Sequence, residues 1–126
     1  MGVTYDTGAL VAADKGERRM WARHRTLLVA RAVPTVPAPV VAQAWRGGGR
    51  QVLLAKLLRG CDIESLGGTE AKTVGALATT AGTTDIVDAC VVKGALRRRD
   101  LVVTSDPGDI EAIAGSVDRH LEVERP

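Results

Sequence analysis

The chain has 126 residues and a mass of 13.2 kDa, which suits one domain spanning residues 1–126. Hydrophobic residues at 45% and charged residues at 25% exclude overall disorder, and 2% aromatics with no Phe exclude a base-stacking platform of the RRM or OB type. Seventeen basic residues against fifteen acidic ones leave a net charge of +2, too balanced to mark a nucleic-acid binder by charge alone.

Gly2 to Tyr5 is a short β-prone run that stops at Asp6. Asp6 or Thr7 then caps a short helix through Leu10-Val11-Ala12-Ala13, and Asp14-Lys15-Gly16 breaks it. Glu17 to Arg31 has helical spacing, with Met20, Leu27 and Leu28 on an apolar face and Arg18, Arg19, Arg23 and Arg25 on a polar one. Val33-Pro34-Thr35-Val36-Pro37 is extended, because each Pro pushes its predecessor out of the helical region. Pro37 or Pro39 opens a helix carrying Val40, Val41, Ala44 and Trp45, which ends at Gly47-Gly48-Gly49. Gln51 to Arg59 spaces Leu53, Leu54, Leu57 and Leu58 for burial, and Gly60 ends that helix.

Cys61 to Leu66 alternates apolar and polar residues, the pattern of a half-buried strand near a sheet edge. Gly67-Gly68-Thr69-Glu70 reads as a turn with an N-cap before a helix over Ala71 to Ala81. Gly82-Thr83-Thr84 turns the chain, and Asp85 starts a helix from Ile86 to Arg98. Leu101 to Thr104 is a compact apolar run, as expected of a strand buried on both faces. Ser105-Asp106-Pro107 starts another helix, and His120 to Glu124 closes with a strand. Alternating strands and helices give an α/β domain of three layers, with a central, mostly parallel sheet of four or five strands flanked by helices.

Cys61 and Cys90 form no CxxC pair, which argues against a structural zinc site. The N-terminus has neither a signal peptide nor a myristoylation pattern, and no run is long enough to span a membrane. The expectation is a cytoplasmic protein with reduced thiols and no membrane contact. Thirteen of the basic residues are Arg, the residue best suited to phosphate and carboxylate recognition.

Ligands of parallel α/β sheets bind beyond the carboxyl ends of the strands. Acids stand there. Asp6 follows the first strand, Asp106 follows the late apolar strand one Ser later, and Asp109 lies one helical turn on. Asp85 and Asp88 are spaced i, i+3 on one helix face. Asp88 is set in an otherwise apolar stretch, where an unpaired carboxylate is costly. Carboxylates that converge repel one another unless a cation sits between them. An all-oxygen set suits Mg2+ or Mn2+, and such an ion supports phosphodiester hydrolysis. The expectation is that Asp6, Asp88 and Asp106 share one acidic pocket.

Four segments carry a family resemblance: Val3 to Leu10, Val36 to Arg46, Asp85 to Ala89, and Val102 to Asp109. In order and content they resemble a PIN domain, and more narrowly the VapC-type toxins of bacterial toxin–antitoxin pairs. The most specific pieces are the Asp after the first strand and Thr104-Ser105-Asp106-Pro107-Gly108-Asp109. The resemblance implies a PIN-like fold, a Mg2+- or Mn2+-dependent ribonuclease acting on RNA, a small antitoxin partner and a homodimer. It implies that Asp6, Asp88 and Asp106 are the catalytic, metal-binding acids, that Asp109 assists, and that Thr104 or Ser105 supplies a hydroxyl near the metal. The usual second acid is replaced by Gln43, which offers a carbonyl oxygen without charge. Asp85, one turn from Asp88, is placed to compensate.

The other functional reading is a catalytically weak PIN-fold module that binds antitoxin or RNA. Asp6-Thr7-Gly8-Ala9 also matches the motif of retroviral-type aspartic proteases, but that fold is all-β. A response-regulator receiver would require a Lys after the late strand, where Thr104-Ser105-Asp106 stands. An apolar groove for an antitoxin helix is expected on the first two helices, using Met20, Trp21, Leu27 and Leu28, with Leu10 and Val11 nearby.

Overall fold

The computed structural model describes residues 2–126. Five parallel strands form one sheet in the order β3-β2-β1-β4-β5. They are β1 (Val3–Tyr5), β2 (Thr35–Pro37), β3 (Asp62–Glu64), β4 (Leu101–Val103) and β5 (Val123–Glu124). Seven α-helices flank it to give three layers: α1 (Thr7–Asp14), α2 (Arg18–Val29), α3 (Ala38–Ala44), α4 (Val52–Arg59), α5 (Gly68–Ala81), α6 (Ile86–Arg98) and α7 (Pro107–Gly115). Helix α1 packs against α2, α3 and α4, while α6 packs against α5 and α7 and lies over β1, β2 and β4.

The strand order locates the site. From β1 the chain steps outward to β2 and β3, then returns to the other side of β1 for β4 and β5. The order therefore reverses between β1 and β4, which opens a crevice beyond their carboxyl ends. Registers Val3↔Leu101, Thr4↔Val102 and Tyr5↔Val103 bring Asp6 level with the start of the 104–106 turn. The Asp6 N–H continues the ladder by donating to Val103 O at 2.9 Å.

The core is aliphatic, as the scarcity of aromatics requires. Leu10, Met20, Val36, Leu57, Val91 and Val102 are all fully buried. A smaller cluster of Val74, Ala78, Ala89 and Cys90 joins α5 to α6. The one Tyr is also buried, and its hydroxyl pairs with His24 Nδ1 at 2.9 Å, so the polar end keeps a partner. At the opposite end of β1 from the crevice, buried Asp100 accepts from Gly2 N at 3.0 Å, Thr4 Oγ1 at 2.8 Å and Arg98 Nε at 2.9 Å. Cys61 and Cys90 are free thiols. No helix among the described residues is long and apolar enough to cross a membrane.

Several element boundaries and burials differ from the sequence expectations. Helix α2 stops at Val29, because Arg31 turns left-handed (φ 58°) and the Ala32 N–H closes back on Leu27 O at 2.9 Å. Helix α5 begins at Gly68 with Gly67 at the cap, three residues before the expected Ala71, since the Ala71 N–H already bonds to Gly67 O at 2.8 Å. A 3-10 turn over Gly49–Gln51 precedes α4. Strand β3 is the edge strand expected, but Ile63 is 46% exposed, so the alternating pattern marks an uncovered face there instead of a half-buried one. Strand β4 is buried on both faces as expected, with Val102 and Val103 at 0% exposure.

Candidate active site

Asp6 is placed by β1 and held by its own chemistry. Its Oδ1 accepts from Thr7 N at 2.7 Å, and its Oδ2 accepts from Thr104 Oγ1 at 2.7 Å. Thr104 is itself fully buried, and its Oγ1 also accepts the Asp106 N–H at 3.0 Å. One hydroxyl thus joins the acids that follow β1 and β4. Burial raises the Asp6 carboxyl above its ordinary range, the Thr104 and Thr7 hydrogen bonds oppose the rise, and nearby Asp106 and Asp85 add to it.

Asp106 sits at the N-cap position of α7, yet its side chain makes no capping bond. Its carboxylate therefore stays free to face the crevice, as that of Asp109 in the first turn of α7 does. Asp85 differs: its Oδ1 caps α6 by accepting the Asp88 N–H at 3.0 Å. Asp88 lies half-buried in the first turn of α6. Its carboxyl is pushed up to about 7, first by burial and then by the charges of Asp6, Asp85 and Asp109.

These groups line one cleft of about 580 Å³ beside Thr7, Gly8, Gln43 and Ser105. The cleft holds every residue named from the sequence except Thr104, whose hydroxyl lies behind Asp6. Gln43 reaches it from α3 and accepts a hydrogen bond from Thr7 Oγ1 through Oε1. The Gln43 amide thus lies at the same opening as Asp6, with its carbonyl oxygen engaged by Thr7. Among the described residues, no three His, Cys, Asp or Glu side chains are already drawn together as a closed metal-ligand set. The donors are all oxygen, which is the chemistry of a hard divalent cation. Beyond burial, the neighbouring charges add to the rise at Asp88, and a cation among them would offset that part of it.

Three features of this cleft escaped the sequence reading. Gly8 lets α1 approach the 104–106 turn: a Cβ there would lie 2.7 Å from Ser105 Cβ and 2.8 Å from Ser105 N. Lys15 and Glu17 form part of the rim, from the turn between α1 and α2. Pro126 lines the cleft as well, brought there by β5. The Gly after Asp6-Thr7 was a readable signal of close approach, whereas nothing local in Arg125-Pro126 announces a wall of the site.

A second opening of about 530 Å³ lies between α2 and α4, lined by Trp21, Ala22, Leu53, Arg18, Arg25 and Lys56. The apolar groove is expected on the first two helices, α1 and α2, but this opening takes its second wall from α4, Val11 of α1 lines the acid cleft instead, and the apolar face is narrower than the spacing suggests. Met20 and Leu10 are fully buried in the core, so they line no groove. Trp21 stays partly open, with its Nε1 donating to Ala13 O at 2.9 Å and Lys56 Nζ 5.7 Å from its ring centre.

No family model matches the chain and no curated protein does. Solved structures do. One, described as the crystal structure of VapBC2 from Rickettsia felis bound to a DNA fragment from their promoter, superposes with a TM-score of 0.71 at 14% identity, covering 100% of this chain and 99% of that one. Another, described as the structure of FitAB bound to an IR36 DNA fragment, gives 0.68 at 17% identity, covering 98% and 94%. PAE2754 from Pyrobaculum aerophilum gives 0.65 at 15% identity, covering 97% and 89%. Near-complete mutual coverage makes this likeness one of whole fold: the chain has a PIN-like fold.

Proposed function

We propose that the protein is a metal-dependent endoribonuclease, the toxin of a type II toxin–antitoxin pair, that hydrolyses RNA phosphodiester bonds. The observation that supports it most is the meeting of Asp6, Asp88 and Asp106 in one cleft at the sheet's switch point, with the Asp88 carboxyl at about 7. Acids gathered in a cleft where burial and neighbouring charges raise their pKa are the pattern of a functional site. The fold shared with VapBC2 and FitAB agrees with the reading.

In this reading Asp6, Asp88 and Asp106 hold Mg2+ or Mn2+, with the Gln43 carbonyl oxygen beside them. Such an ion, when bound, lowers the pKa of water and neutralises charge on a phosphoryl group. The chain's own residues do the rest. Thr104 fixes the Asp6 carboxylate and the Asp106 backbone relative to each other. Asp85 orients the start of α6, and so Asp88, through its cap. Asp109 adds negative charge at the mouth of the cleft, and the Ser105 hydroxyl is exposed there to a phosphate oxygen.

VapBC2 and FitAB are each described as a complex on DNA. By extension, this chain pairs with a small antitoxin, whose apolar segment occupies the opening between α2 and α4 against Trp21 and Leu53. Helix-in-groove burial of this kind contributes roughly 25 cal/mol per Å² of apolar surface. The protein acts in the cytoplasm and forms a homodimer.

Incubation of the purified protein with RNA in Mn2+ or Mg2+, against the same reaction in EDTA and against Asp6→Asn, tests the enzyme reading. Metal-dependent cleavage that Asp6→Asn abolishes is expected. Absence of cleavage by the wild type with any RNA and either metal favours the second reading, a PIN-fold module that binds antitoxin or RNA. One observation supports that alternative: the second-acid position presents an amide, already engaged by Thr7, in place of a carboxylate.

A further inference from the structure

The turn that carries Asp106 is gripped from outside the acid cluster. Its Thr104 N–H donates to Glu124 O at 2.9 Å, extending the β4–β5 pairing past the end of β4. Beyond β5, Arg125 Nη1 donates to the Ser105 carbonyl at 2.8 Å. The segment that supplies Arg125 is in turn held by Arg23 of α2. Arg23 Nη1 pairs with Glu124 Oε2 at 2.8 Å, and its Nη2 donates to Arg125 O at 3.0 Å. Arg23 is 19% exposed in its side chain and Glu124 49%, so the clamp is buried on the Arg23 side and open to water on the other. On the inner side, Ser105 is pressed against Gly8 with no room for a Cβ.

We propose that Arg125 is a positioning residue for Asp106. It fixes the Ser105 carbonyl, and with it the peptide that leads into Asp106, while Arg23 fixes Arg125. The physical case is that Asp106 has no capping bond of its own. Its orientation depends on the turn, and the turn's polar anchors are the Thr104 hydroxyl, the Glu124 carbonyl and the Arg125 guanidinium. The Arg125 bond is charge-assisted, and although it is exposed, it is the turn's one side-chain anchor on its outer side among the described residues. The catalytic consequence rests on the nuclease reading; the positioning itself does not.

The test uses the full chain as wild type, Arg125→Ala, Arg125→Lys and Arg23→Ala. The first readout is the backbone 15N order parameter of Ser105 and Asp106 in metal-free protein. In wild type it should be near the rigid value of about 0.85, and in Arg125→Ala and Arg23→Ala it should fall toward about 0.6. The second is Mn2+ affinity by calorimetry, expected to fall roughly tenfold in Arg125→Ala, about 1.4 kcal/mol, with Arg125→Lys recovering part of the loss. The third is RNA cleavage, in which Arg125→Ala should lower kcat and leave KM unchanged. Order parameters and Mn2+ affinity equal to wild type in both alanine variants overturn the proposal. If the wild type cleaves no RNA while Arg125→Ala still loses order and Mn2+ affinity, the nuclease reading fails and the positioning role stands.

Discussion

Thr104 Oγ1 donates to Asp6 Oδ2 at 2.7 Å across 98 residues of chain. Both groups are buried, so the bond is made away from competing water. Thr104→Val keeps the shape and removes the hydroxyl. It leaves Asp6 with the Thr7 N–H alone and the Asp106 N–H without its acceptor. The expected cost is about 1–3 kcal/mol of stability, the range for orphaning a buried partner. The Asp6 carboxyl should rise further, because the opposing hydrogen bond is gone. Urea unfolding and a carboxyl-carbon NMR titration check the two effects. Thr104→Ser, which keeps the hydroxyl, should leave the titration unchanged.

The Asp88 carboxyl gives the metal-free protein a pH signature. Its folded-state pKa is raised from 3.8 to about 7. Between those values the folded chain binds its proton more tightly than the unfolded chain does. The contribution of this group to stability is therefore complete below pH 3.8 and is lost as pH rises through 7. Asp88→Asn should flatten this decline and melt higher than wild type at pH 8 without metal. With millimolar Mn2+ at pH 8, the order should reverse, because a ligand bound only by the folded state stabilises it by mass action. Thermal melts at pH 5 and pH 8, with Mn2+ and with EDTA, decide it. A wild-type melting temperature that rises with pH in EDTA contradicts the assignment.

The order of strands and helices was legible because each element here is short and sharply punctuated. Asp6, Pro34, Pro37, Gly60, Gly82 and Pro107 all fall at or beside ends of elements. The acids were legible for a related reason, since residues just after parallel strands share one edge of the sheet, and Asp6 and Asp106 are such residues. Burial of individual side chains was less legible. Met20, Trp21, Leu27 and Leu28 are the large apolar residues of α2 before Val29, yet the core takes Met20 whole and leaves Leu28 38% exposed. Periodicity gives a face, but what covers that face is set by α1 and by side chains such as Lys56 of α4 over Trp21. Arg125 was invisible for a stronger reason. Its role comes from a contact twenty residues away in sequence, made through a main-chain carbonyl that every residue possesses.

Gly8 sits where α1 meets the turn carrying Asp106. A Cβ there would come within 2.8 Å of the Ser105 backbone N, and backbone cannot swing aside as a long side chain can. Gly8→Ala must therefore push the 104–106 turn outward and stretch the Thr104–Asp6 bond. The expected destabilisation is about 1–3 kcal/mol, the range for overpacking a tight site, despite Ala being the better helix former. Gly75, also helical but with open space around it, is the control: Gly75→Ala should be neutral or stabilising. Chemical denaturation of the two variants separates close packing from simple propensity, and equal midpoints would show that the turn is free to yield.

Gln43 lines the cleft, and its Oε1 accepts from Thr7 Oγ1. Gln43→Glu keeps that acceptor at nearly the same volume and adds one negative charge beside Asp6 and Asp88. Without metal, the added carboxylate increases repulsion in a cleft that already raises Asp88 to about 7. Metal-free stability should fall modestly, and the Asp88 pKa should rise further. With Mn2+, a charged oxygen ligand in place of a neutral one should tighten binding, by about tenfold for 1.4 kcal/mol of added attraction, and RNA cleavage should rise with it. The two effects have opposite signs, so a residue merely near the cleft does not reproduce them. Gln43→Ala is the complement: it also removes the Thr7 bond, and it should weaken Mn2+ binding while lowering the repulsion felt by Asp88 little, since the amide carries no charge. Calorimetry of Mn2+ binding and melts in EDTA, run on all three forms, provide the comparison. Equal Mn2+ affinity in wild type and Gln43→Glu would remove residue 43 from the ligand set and leave Asp6, Asp88 and Asp106 to hold the ion alone.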